Sequence, residues 1–284
     1  MPTPIGICTC GNHTSHRRSF NQLITEYSKE DYDLMLDTNF AKANNLNISL
    51  PYDNLIRSIN ENTTILLENA TNQNAIHALN ELAVWLSYKW KVGEIIRVNF
   101  LNENSKLEAL VKKAAKEWME YANVIFHFIN DGEAEIRIEF NDIDINQSYI
   151  GTSCRTIVDQ LQPTMLLGFS NPSIGDDLIY GTILHEFGHA LGCIHEHQHP
   201  TAGIRWNEKE IIEDFKKYGW DEEKTRHNVL NTFPQDDISN SEYDRDSIMH
   251  YFFPAKYNLD GIEYSQNIVL SQKDKDFMKF CYPF

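Results

Sequence analysis

The stretch His185-Glu186-Phe187-Gly188-His189-Ala190-Leu191-Gly192-Cys193-Ile194-His195 constrains this chain more than any other part of it. Histidines four apart lie on one face of an α-helix, with Cβ atoms about 5–6 Å apart. His185 and His189 can therefore both reach one zinc ion, at about 2.0–2.1 Å from the ring nitrogens. Asp176–Leu191 reads as that helix, with acids near its positive end. The next helical turn cannot supply a third ligand without bending. Gly192 tolerates the left-handed backbone that ends a helix, so the chain can turn and bring His195 in from a new direction. Three protein ligands leave one position open to water, the arrangement of a catalytic site. Glu186, one step round from His185, is placed to take a proton from that water. Five fixed residues match by chance in such a chain on the order of 10⁻⁴ of the time.

The motif sits late in an ordered run of elements. Residues 1–75 are polar and Asn-rich, with one short amphipathic piece at Tyr52–Ile59, and read as a pro-segment or appendage. Residues 76–284 read as the catalytic domain, with an upper part of about 76–195 and a lower part of about 196–284. Leu79, Leu82, Leu86 and Trp90 give His77–Trp90 helical spacing. Ile95–Phe100, Val124–Phe128, Ala134–Phe140 and Thr164–Phe169 read as strands, with Asp131-Gly132 a turn signal between the second and third. Leu107, Leu110, Val111, Ala114, Ala115, Trp118 and Met119 mark an amphipathic helix. This order predicts an α/β or α+β layer with a mixed sheet. Beyond His199-Pro200 the chain is less regular. Glu208–Tyr218 carries Ile211, Ile212 and Phe215 on one face, and Ser271-x-x-Asp274 is a capping box opening a final helix.

Composition excludes some partners. A formal charge of −16 repels nucleic acid and acidic lipid surfaces. No apolar run approaches the roughly 18 residues of a spanning helix. The start of the chain lacks the basic and apolar regions of a secretory signal. Five cysteines, at 8, 10, 154, 193 and 281, are too few and scattered for a disulfide scaffold.

The motif, with Ser247-Ile248-Met249-His250-Tyr251 downstream, resembles the metzincin zinc metallopeptidases, whose Met-turn has this form in the astacin-like members. The similarity extends over about residues 79–284, through NELAVWLSYKWKVGEIIRVNF, KEWMEYANVIFHF, AEIRIEF, PTMLLGF, HEHQHP and GIRWNEKEI. It resembles bacterial members carrying the zinc-dependent metalloprotease domain. It departs from astacins at Gln198-His199-Pro200-Thr201, where they carry Arg-x-Asp-Arg-Asp, and in lacking their cysteine framework. The resemblance implies a metzincin-type catalytic domain, a mixed twisted sheet with an active-site helix above and a less regular C-terminal subdomain. It implies one catalytic Zn2+ on His185, His189 and His195, and Met249 as the floor beneath it. It also implies Tyr251 as a further ligand and oxyanion stabiliser, Glu186 as general base, a peptide or protein substrate, and export from the cell. In this clan the substrate lies along an edge strand, a position that Met165–Phe169 matches.

Several readings stay open at this level. His197 and His199, just past the motif, read as surface groups, and Cys193 as small-residue packing. Cys10-Gly11-Asn12 resembles the cysteine switch of matrix metallopeptidases, against the plainer reading of a disordered tail. The leading function is a zinc-dependent endopeptidase. The alternative is a zinc-retaining module that binds a protein partner without cutting it.

Overall fold

Apolar side chains at alternate positions drive Ile95–Phe100 into a strand, β1, whose Ile96 and Val98 are fully buried. In this computed structural model, which describes residues 88–284 except 144, 172 and 233–241, β1 is the second strand of a five-stranded sheet ordered β2-β1-β3-β5-β4. The expected N-terminal features lie outside the described residues: the helix at His77–Trp90 before Tyr88, the piece at Tyr52–Ile59, and Cys8 and Cys10.

The helix α1 (Ser105–Met119) follows β1. Asn104 caps it by accepting from the Leu107 N–H at 3.2 Å, and its buried face carries Leu107, Val111, Ala114, Ala115 and Trp118. Next come β2 (Ile125–Phe128) and β3 (Ile136–Asn141). Both run parallel to β1 on opposite sides, so Val98 faces Phe128 on one side and Ile136 on the other. The turn at Asp131-Gly132 therefore closes no hairpin, although Gly132 does take a left-handed φ of 91°.

β4 (Gln147–Ser148) and β5 (Met165–Gly168) complete the sheet. β5 runs parallel to β3, and β4 runs antiparallel to β5. This corrects the expectation for Met165–Phe169. That stretch is an interior strand, covered by the Gln147↔Leu166 and Ser148↔Met165 pairs, and the sheet's edge is β4. Two polar residues carry no alternation, so β4 left no periodic trace in the sequence. The buried Arg137 guanidinium stitches the approach to β5 by donating to Ala134 O and Gln162 O at 2.7 Å and Ile157 O at 2.8 Å.

The helix α2 (Asp176–Ala190) packs on α1 and on the sheet. Its Phe187 meets Phe126 of β2 edge-on at 5.1 Å, and every residue from Ile179 to Ala190 is buried. Its last carbonyls are not left to water. Trp90 Nε1 donates to Ala190 O at 2.7 Å and the Tyr282 hydroxyl to Leu191 O at 2.6 Å.

Below α2 the chain is less regular, as expected. It holds α3 (Glu208–Lys216), the single turn α4 (Glu222–Thr225), a π-turn at Arg226–Leu230 and α5 (Gln272–Cys281). A second core of Ile211, Phe215, Trp220, Val229, Leu230, Phe253, Tyr257 and Tyr264 holds these pieces together. α5 opens with the expected capping box of Ser271 and Asp274.

Candidate metal centre

Gly192 takes a φ of 102°, a conformation costly for any residue with a Cβ. The Gly192 and Cys193 N–H groups bond back to His189 O and Gly188 O at 2.8 and 3.0 Å. This ends α2 and turns the chain so that His195 returns toward the helix. The structure thus brings together all three expected histidines, whose ligand atoms lie within 4.8 Å of one another. None of the three is more than 8% exposed, and Glu186 between them is fully buried.

The second nitrogen of each histidine fixes what the first can do. His185 Nδ1 lies 2.8 Å from Ile248 O, and His189 Nδ1 lies 2.8 Å from Cys193 O. A carbonyl only accepts, so both Nδ1 atoms carry the proton and both Nε2 atoms present a lone pair. His195 is bonded to the side chain of Gln198, whose amide nitrogen donates to His227 O and Asn231 O at 2.7 and 2.9 Å. The Nε2 atoms of His189 and His195 stand 3.0 Å apart, and the buried Nε2 of His185 has no hydrogen-bond partner among the described residues. Lone pairs converging on one point suit a cation. Burial lowers the His185 pKa to about 4 and holds His195 well below its ordinary range, which keeps both in the neutral form a metal requires. The residues present fit a zinc ion.

Met249, the residue the resemblance implies as a floor, packs against the helix at Gly188. It is 3% exposed, and a Cβ on Gly188 would stand 2.3 Å from its Sδ. Gly188 is therefore in the motif because the methionine passes directly beneath the helix, a reason the local sequence does not disclose. Asp274 holds the turn by accepting from Ser247 Oγ at 2.7 Å and Ile248 N–H at 2.8 Å, while also capping α5. Ile248 then supplies the carbonyl that orients His185. Glu196, next to His195, accepts from the Asp244 N–H at 2.7 Å, and burial raises its pKa to about 7.

The Tyr251 ring reaches the site. It lies 4.2 Å from the His195 ring and 5.6 Å from that of His185, centroid to centroid. His197 and His199 are not surface groups, contrary to expectation, for they are 1% and 4% exposed. His197 Nε2 donates to Asn228 O at 3.1 Å, and His199 Nδ1 accepts from the Thr201 N–H at 3.2 Å. Cys193 is half-buried, and its carbonyl serves His189. Gln198 was missed as a functional residue. Its only sequence signal is its place three residues beyond the third histidine.

A mixed α/β layer with two histidines on the buried helix α2 and a third returning to them beyond its end defines a zinc metallopeptidase. The model of the astacin peptidase family matches residues 84–258. A structure of myroilysin is 35% identical over 70% of this chain and 97% of that one, with a TM-score of 0.66. A second myroilysin structure gives 35% identity, coverage of 70% and 87%, and a TM-score of 0.57. High choriolytic enzyme 1, a hatching enzyme zinc-protease from Oryzias latipes (medaka fish), is 19% identical over 69% and 94% of the two chains, with a TM-score of 0.48. No curated protein matches. The chain belongs to the astacin family, and the departures at Gln198–Thr201 and in the cysteines are variations within it. It is a zinc-dependent endopeptidase that uses one catalytic zinc ion on a peptide or protein substrate. Among the described residues no helix is long and apolar enough to cross a membrane.

Proposed function

We propose that His185, His189 and His195 hold the zinc through their Nε2 atoms, that Glu186 is the general base, and that Tyr251 is a further ligand and oxyanion stabiliser. The observation that carries this reading is the set of committed Nδ1 atoms behind converging Nε2 lone pairs. When bound, zinc lowers the pKa of a water molecule to about 7 and polarises the scissile carbonyl. The buried Glu186 carboxylate takes a proton from the attacking water and returns it to the leaving amine. Tyr251 offers its hydroxyl to the oxyanion as negative charge develops. The substrate backbone pairs with the exposed side of β4, which packs against α2. Residues 76–284 form the catalytic domain and 1–75 a pro-segment or appendage, a division supported by the family match over 84–258. The same family reading carries export from the cell.

Zinc stoichiometry together with chelator-sensitive peptide hydrolysis tests the reading. Glu186→Gln keeps one zinc per chain and loses about 10²–10⁴ in kcat/KM. Full hydrolysis by the metal-loaded variant would refute the base assignment. Zinc binding without any cleavage by the parent would favour the non-catalytic binding module.

A further inference from the structure

His197 is a buried group next to this site that the proposed chemistry leaves without a task. Its ring is stacked on Tyr251 at 4.8 Å with 23° between planes, and on His195 at 5.3 Å and 29°. It is itself held rigidly. Nε2 is tied to Asn228 O in the π-turn. Phe253 and Trp206 meet its ring edge-on at 5.0 and 6.2 Å. Its Nδ1 is buried with no hydrogen-bond partner among the described residues. An imidazole that leaves one polar atom unsatisfied costs more to bury than a hydrocarbon of the same shape. What the ring supplies in return is a flat, fixed face. Tyr251 is only half-buried, and a phenol on a single-bonded stem turns unless something confines it.

We infer that His197 is a positioning residue, a plate that holds the Tyr251 ring so that its hydroxyl is delivered to the metal site. This rests on the tyrosine role proposed above. The π-turn belongs to the same device. Its carbonyls at His227 and Asn228, with Asn231 just beyond, fix both His197 and Gln198, and so brace Tyr251 and His195 from behind. Single-turn π segments commonly occur at functional sites.

Five proteins test the inference on a peptide substrate: the parent, His197→Gln, His197→Phe, Tyr251→Phe, and His197→Gln with Tyr251→Phe. Gln keeps a donor for Asn228 and loses the ring, and Phe keeps the ring and loses the donor. An aromatic contact of this kind corresponds to roughly three- to tenfold in rate. His197→Gln should lower kcat by that factor with KM within about twofold, and His197→Phe should stay near the parent. In the Tyr251→Phe background, His197→Gln should cost nothing further, because its effect passes through the missing hydroxyl. Copper(II) in place of zinc gives a readout independent of activity. The phenolate-to-copper absorption band should shift or fade in His197→Gln, at one copper per chain, and persist in His197→Phe.

Losses that multiply in the double variant, or an unchanged copper band in His197→Gln, overturn the inference. If His197→Gln does not fold, His197→Phe decides alone, and loss of its band at full metal occupancy refutes the plate. Should Tyr251→Phe keep full kcat and the parent show no phenolate band, the tyrosine role itself fails and takes the inference with it.

Discussion

Gly188→Ala tests the fit between the histidine-bearing helix α2 and Met249 beneath it. Two effects oppose each other. Alanine is favoured over glycine inside a helix by about 1 kcal/mol. The new Cβ, however, would stand 2.3 Å from Met249 Sδ, 3.3 Å from its Cε and 3.4 Å from Trp118 Cζ2. Ordinary contact requires the sulfur to withdraw by at least about 1 Å. Methionine is flexible, but this one is 3% exposed, and the neighbouring Trp118 is fully buried with its indole N–H tied to Leu184 O at 3.0 Å. Overpacking of this kind costs about 1–3 kcal/mol, and a blocked retreat places it in the upper half of that range. The net expectation is a loss of about 1–2 kcal/mol, or roughly 3–6 °C in Tm for a domain of this size. Thermal unfolding in excess chelator isolates packing from metal binding. The same substitution in a Met249→Ala background meets no sulfur, so there the sign should reverse and alanine should stabilise by about 1 kcal/mol. A parent chain stabilised by Gly188→Ala would refute the reasoning.

Two further outcomes follow from the lower half. Asp274→Ala removes the acceptor shared by Ser247, Ile248 and the Ser271 cap, so urea unfolding should show a loss of about 2–4 kcal/mol, with weaker zinc retention because Ile248 O orients His185. Asp214 is bonded to Lys217 at 2.5 Å, to Lys256, and to the Tyr257 hydroxyl at 3.1 Å, and these hydrogen bonds, Lys217's first, lower its pKa to about 2. A depressed carboxylate pKa stabilises the fold above the unfolded value of about 4 and ceases to as pH falls through about 2. Asp214→Asn should therefore lower Tm at pH 7, and the gap to the parent should close between those two values.

Much of the fold was legible where its signals are local. The alternation at Ile95–Phe100, the spacing from Leu107 to Trp118 and the Ser271-x-x-Asp274 box each describe an element by residues within one or two turns of each other, and each element formed with nearly the expected bounds. The three histidines were legible for the same reason, since i, i+4 spacing and one glycine fix their convergence without any knowledge of the rest of the chain.

What stayed hidden depends on residues far apart in sequence. His197 looked like a loop histidine, and loop histidines are commonly exposed. Its burial comes from a carbonyl 31 positions later and a ring at Tyr251, neither marked by local periodicity. Gly188 carries no local mark of its role, which comes from Met249 packing beneath it. Asp274 was legible as a cap but not as the acceptor that anchors Ser247 and Ile248, because a capping box declares only its own helix. The edge strand was misassigned on the same grounds. An apolar run such as Met165–Gly168 reports burial, and in this sheet the buried strand is the interior one, while the edge falls to two polar residues. Local pattern therefore locates the three histidines, and long-range polar and steric partners hold them in place. Those partners, at Ile248, Asp274, Gln198 and His197, are where substitutions should alter metal retention and turnover while leaving the zinc motif untouched.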